Sequence, residues 1–177
     1  MLKLADFYHL PELDAILATL IADPSGLIVV AGLDPRPASG AALLPSGRAT
    51  IFRLLLNELL EAHPRSKAVV VAPERDVVRI PRGYGRRVSF ALTQPPLSYA
   101  DQIRAAAERK PDLLVIDRLC PENVGPALEA AKRGLRVLSQ MDTVFRGAAV
   151  ARHLMDLGAP AGLLDALCWV LAVQRVP

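Results

Sequence analysis

Residues 26–62 read GLIVVAGLDPRPASGAALLPSGRATIFRLLLNELLEA, and the order of pieces within this stretch decides the fold. Gly26–Gly32 is a short continuous apolar run of the kind found in strands buried on both faces. Arg48–Ala62 repeats apolar residues at helical spacing, with Ile51, Leu54, Leu55 and Leu59 on one face. Between them, Gly32–Thr50 occupies the place where a phosphate-binding loop joins strand to helix. The flanks therefore predict the start of an α/β domain, while the interior of the loop has to be read residue by residue.

The same alternation continues on both sides. A helix is expected over residues 10–22 (LPELDAILATLIA), and a second buried strand over 67–72 (KAVVVA). The runs DVVRIP and RRVSFAL, separated by RGYG, predict a small β-hairpin near residues 76–91, because glycine takes positive φ at no steric cost. Ser98 suits the N-cap of a helix over 98–110. PDLLVI, ending at Ile116 with Asp117 after it, predicts a strand, and PENVGPALEAAKRG a helix with proline near its start and glycine at its end. LRVLS reads as a strand, residues 147–158 as a helix, and AGLLDALCWVLAVQR (161–175) as a closing helix. Strands alternating with helices in this way imply a largely parallel sheet flanked by helices. There is no internal repeat, and the proline-rich segments belong to loops inside one βαβ series.

Composition narrows the class. A chain of 177 residues that is 52% apolar can fill the core of one ordinary domain. No apolar run reaches the roughly 18 residues that span a bilayer, and the opening MLKLADFYHLPELD lacks the order of a signal peptide; a cytoplasmic location is expected. Cys120 and Cys168 are far apart and have no CxxC partner, so they are read as core thiols rather than disulfide or zinc ligands. Between Arg65 and Arg87, seven basic residues face only Glu74 and Asp76. That segment carries a net +5 against +3 for the chain, so the remainder is net −2. The segment could meet phosphate, nucleic acid or an acidic surface, but only Tyr84 and Phe90 accompany it, too few for single-strand stacking.

From residue 24 onward the order of pieces resembles the motor domain of the secretion ATPase superfamily, the engines of type II secretion and type IV pili. The resemblance is most specific in KPDLLVIDRLCPENVGPALEAAKRGLRVLSQMDT (110–143) and VARHLMDLGAPAGLLDALCWVLAVQR (150–175), with support from DPSGLIVVAG and GRATIFRLLLNELL upstream. It implies a RecA-like P-loop NTPase fold over residues 24–177, a short helical lead-in over 1–23, and no room for the family's separate amino-terminal domain. It also implies ATP and Mg²⁺ as cofactors and partnership with itself or with a secretion or pilus ATPase.

Set against the family's motifs, the residues depart in one direction. A working P-loop reads GxxxxGK[ST], because backbone amides wrap the phosphates, a lysine reaches the β/γ oxygens and a hydroxyl holds Mg²⁺. Alignment on the helix places Gly47 at the second glycine, Arg48 at the lysine and Ala49 at the hydroxyl; Thr50 is one step further, turned by about 100°. Fourteen residues separate Gly32 from Gly47 where the motif has four, and Pro35, Pro37 and Pro45 remove amide donors. At the catalytic-glutamate position the chain offers Asp117 and then Arg118, and a guanidinium cannot accept a proton. In place of paired acids after the second strand it has Ala72 and Pro73, with Glu74 and Asp76 displaced; in place of the histidine after the last strand it has Asp142. His63 and His153 are read as surface residues, and His9 precedes the domain. Candidate catalytic residues are therefore Asp117 and Glu74, with Gly47, Arg48 and Thr50 as a vestigial phosphate site and no metal ligands. The expectation is a structural or regulatory binding protein without ATP hydrolysis. The alternatives are a nucleotide-binding ATPase with an unusual loop, and a nucleic-acid-binding module using residues 65–87, with Arg79, Arg82, Arg86 and Arg87 as charges a neighbour's site could borrow.

Overall fold

A computed structural model describes residues 3–7, 11–33, 46–80 and 83–174. Its helices are α1 (Pro11–Ala22), α2 (Arg48–Ala62), α3 (Tyr99–Glu108), α4 (Val124–Lys132) and α5 (Ala148–Asp156). Its strands are β1 (Gly26–Gly32), β2 (Ala68–Ala72), β3 (Val88–Leu92), β4 (Leu113–Ile116), β5 (Arg136–Asp142) and β6 (Leu167–Ala172), with 3-10 turns at Leu4–Phe7 and Ala161–Ala166. The strands form one sheet in the order β3-β2-β4-β5-β1-β6, and every pairing is parallel.

Alternation along each strand divides the core between two faces. Leu27, Val29 and Ala31 of β1 join Val69, Val71, Leu114 and Ile116 beneath α3, α4 and α5. Ile28 and Val30 join Val70, Val115 and Leu138 beneath α2, with Leu20 of α1 and Leu4 packed behind it. All seven residues of β1 are buried, which accounts for its uninterrupted apolar sequence. In α2 the fully buried stripe is Phe52, Leu55, Leu56, Leu59 and Leu60, one position round from the expected face; Ile51 and Leu54 are only half buried. Ser98 caps α3 as expected, its hydroxyl accepting the Asp101 N–H at 3.1 Å.

Three expectations are corrected. The hairpin near 76–91 does not form among the described residues: residues 75–77 are turn, and Val88–Leu92 pairs parallel to β2. Val78 is buried and Ile80 packs beside it, while Val77 is exposed. Gly83, at φ +98°, makes a turn that leads into β3 rather than between two strands. The closing helix is also absent: residues 167–172 are strand β6 beside β1. A short apolar run does not distinguish the two structures by its period, and here the pairing decides, because a fully buried β1 has no water to satisfy its second edge. Finally, the cysteines are not core thiols, since Cys120 is half buried and Cys168 is exposed.

Candidate functional site: an ion cluster where the phosphate loop would act

The carboxyl ends of β1, β4 and β5 lie side by side and bring together three residues that sequence reading marks as separate departures. Arg48 opens α2 and is 2% exposed. Its Nη1 donates to the Gly32 carbonyl at the end of β1 (3.2 Å) and pairs with Oδ1 of Asp142 at the end of β5. The other oxygen of Asp142 takes Arg118 Nη1 at 2.7 Å. One carboxylate thus bridges two guanidinium groups, one oxygen to each. The loop carrying Arg118 is held in place by buried Asn123, whose Nδ2 donates to the Arg118 carbonyl (2.8 Å) and whose Oδ1 accepts the Cys120 N–H (2.9 Å).

Asp117 lies at the edge of this cluster, 6% exposed, and accepts Gln140 Nε2 at 3.3 Å. Burial pushes its carboxyl above the ordinary carboxylate range and outweighs the opposing pull of Arg118, Gln140 and Arg48, while Asp142 adds to the rise. Tyr99 donates its hydroxyl to Val71 O at 3.2 Å, and burial, reinforced by Asp117, raises its pKa well above the usual phenol range. Gln140 and Tyr99 escape sequence reading. Gln140 carries a faint signal, a polar residue inside an apolar strand run; Tyr99 carries none, sitting at an ordinary first helical position.

The start of α2 is built differently from a phosphate cradle. Gly47 is left-handed (φ 90°) and supplies no capping side chain. The Ser46 hydroxyl accepts the Arg48 N–H at 3.2 Å, and the Gly47 carbonyl takes the N–H groups of Thr50 and Ile51 at 2.9 and 3.0 Å. A Cβ on Gly32 would come within 2.7 Å of Ser46 Oγ and 3.0 Å of the Val173 carbonyl, so the chain segments close tightly over the end of β1. Pro35, Pro37 and Pro45 of the expected insertion lie outside the described residues, as do His9 and Arg82. Thr50 is half exposed, and Glu74 is exposed in the turn after β2, apart from the ion cluster. His63 donates Nε2 to the Ile21 carbonyl (2.9 Å), and His153 packs against Phe145, so both are half buried rather than free surface residues.

The groups that would meet ATP in a working loop already have partners here. The cation at the lysine position is spent on Gly32 O and Asp142, and the Arg48 amide on Ser46. Among the described residues no group of three or more His, Cys, Asp or Glu side chains could hold a metal ion. The cavity alongside, bounded by Gly32, Ser46, Thr143 and Phe145, measures about 260 Å³. No helix among the described residues is long and apolar enough to cross a membrane.

No family model and no curated protein sequence matches the chain. Solved structures do. The ATPase DotB of Legionella pneumophila superimposes with a TM-score of 0.66 at 22% identity over 95% of this chain and 45% of its own. The VirB11 ATPase of the Brucella suis type IV secretion system, in complex with sulphate, gives 0.68 at 14% identity over 93% and 47%. The pilus retraction motor PilT with bound ADP gives 0.65 at 20% identity over 93% and 43%. The chain spans less than half the length of each. What it shares with these secretion and pilus ATPases is the fold, an all-parallel RecA-like sheet covered by helices on both faces.

Proposed function

We propose that the protein is a non-catalytic relative of the secretion and pilus motor domain, one that keeps the fold and uses its surface to bind a partner or another copy of itself. The observation that carries this reading is the Arg48–Asp142–Arg118 cluster. Three positions that would serve nucleotide chemistry in the resembling ATPases hold side chains that pair with one another. Each departure taken alone could be tolerated, because a lost lysine leaves binding weakened and a lost base leaves binding intact. Their mutual pairing goes further, since opening the site to phosphate would strand buried Arg48 or exchange its partner.

The test is a thermal-shift and calorimetric titration with ATP or ADP and Mg²⁺, followed by a phosphate-release assay. No shift at millimolar nucleotide and no release are expected. Binding would shift the melting temperature by mass action, and Mg²⁺-dependent release abolished by Asp117→Ala would overturn the reading. A nucleotide-binding role remains the second reading, favoured by one feature: two guanidinium groups, Arg48 and Arg118, stand together at the carboxyl ends of the strands. A shift with nucleotide but no phosphate release would select it.

A further inference from the structure

At the opposite end of the sheet lies a second charged feature, and the fold rather than the sequence assembles it. The amino ends of β3, β2 and β4 border a cleft of about 380 Å³ lined by Lys67, Arg86, Arg87, Ser89, Arg109 and Lys110. Arg109 and Lys110 follow α3 and are distant in sequence from the basic segment 65–87; the parallel order β3-β2-β4 carries them to it. Lys67, Arg86, Arg109 and Lys110 are exposed, and among the described residues none of them forms an ion pair with a side chain. Arg87 is turned away, donating to the Leu60 and His63 carbonyls at the end of α2. The neighbouring acids Glu108 and Asp112 leave the cleft net positive, and Asp112 is engaged by the Lys67 N–H at 2.8 Å.

Lys110 adds a conformational argument. The helices α4 and α5 are followed by left-handed glycines, Gly134 (φ +91°) and Gly158 (φ +98°), the residue type that takes this geometry without steric conflict. At the end of α3 the left-handed residue is a lysine, φ 48°, immediately before Pro111. A cation is favoured at a helix carboxyl end, but the helix does not require it in the strained position. What the strain secures is an ammonium group at the cleft.

We infer that this cleft docks an acidic, extended peptide segment of a partner protein. Neighbouring strands stand about 4.8 Å apart, so cations at three adjacent strand starts extend over roughly 10 Å. An extended segment, rising about 3.3 Å per residue, covers that distance in about three residues. A nucleic acid strand is a poorer fit, because the nearby rings already carry arginine: Arg87 lies 4.8 Å over Tyr84 and Arg75 lies 5.5 Å over Phe90. Among the described residues, each of these rings has an arginine over one face, which leaves less aromatic surface for base stacking.

Fluorescence anisotropy with a labelled oligo-glutamate peptide, using the full chain without nucleotide, tests this independently of the state of the Arg48 cluster. Binding that weakens as salt rises is expected. The double variant Arg86→Glu with Arg109→Glu is expected to weaken it by about tenfold or more. Lys110→Gly is expected to weaken it about threefold while the melting temperature holds or rises. Arg152→Glu, on exposed α5, is expected to leave affinity unchanged. No binding, equal weakening by Arg152→Glu, or tighter binding of an oligodeoxythymidine of equal charge would each overturn the assignment.

Discussion

At the carboxyl end of the sheet, Arg48 and Arg118 converge on the carboxylate of Asp142, and the buried guanidinium of Arg48 is also held by the backbone at Gly32. At the amino end, Lys67, Arg86, Arg109 and Lys110 surround a cleft and remain exposed. Both ends are rich in positive charge, yet only the first commits it to folding. A buried charge must be paired, because desolvation is expensive, whereas an exposed one can stay hydrated until a ligand arrives. At the end that the family resemblance marks for anions the buried cation is already paired, whereas the cations at the other end stay exposed.

The comparison can be broken most directly at Asp142. Asp142→Ala would take a carboxylate partner from buried Arg48 and is expected to cost about 3 kcal/mol of stability in urea or guanidinium titrations. A loss near zero would mean that Arg48 simply turns elsewhere. Arg87 is the exception at the amino end, with two bonds to helix carbonyls of 2.9 and 3.1 Å. Arg87→Ala is expected to cost about 1.5 kcal/mol, measured in the same way. Asp117 sharpens the contrast through pH. Its folded pKa lies above the ordinary 3.8, so its carboxyl favours folding most fully below that value, and the advantage fades as pH rises through the folded pKa. Asp117→Asn, which keeps an acceptor for Gln140, should match the wild type in acid and melt higher at neutral pH. The smallest effect is expected at the open cleft: Arg86→Ala with Arg109→Ala should change stability by no more than about 0.5 kcal/mol.

Much of this fold is legible in the sequence wherever burial on both faces leaves a continuous apolar signature. GLIVVAG and LLVI are strands for that reason, and the helices starting at Pro11 and Arg48 begin where their patterns place them. LCWVLA is misread because an apolar run of that length fits a helix equally well; its identity comes from β1, which lies more than a hundred residues away in the chain and needs a second neighbour. RGYG misleads because its turn glycines mark a change of direction without specifying which strand the chain pairs with after it. The candidate site is legible only in fragments. Arg48, Arg118 and Asp142 each stand out against a motif, but nothing local indicates that one carboxylate serves both arginines. That pairing is created by the β4-β5-β1 neighbourhood.

The register of β1 also bears on how the protein is made. Val29 pairs with Ser139 on one side and Val170 on the other, so β1 has no sheet partner until β5 is made and only one until β6 follows. Synthesis at about 5–20 residues per second puts roughly a hundred residues, on the order of ten seconds, between the first strand and its first neighbour. During that interval an entirely apolar strand carries two unpaired edges. The nascent chain is thus most exposed to misassociation before residue 136 is made, and β5 joins β1 to the β3-β2-β4 half of the sheet only as the last third emerges.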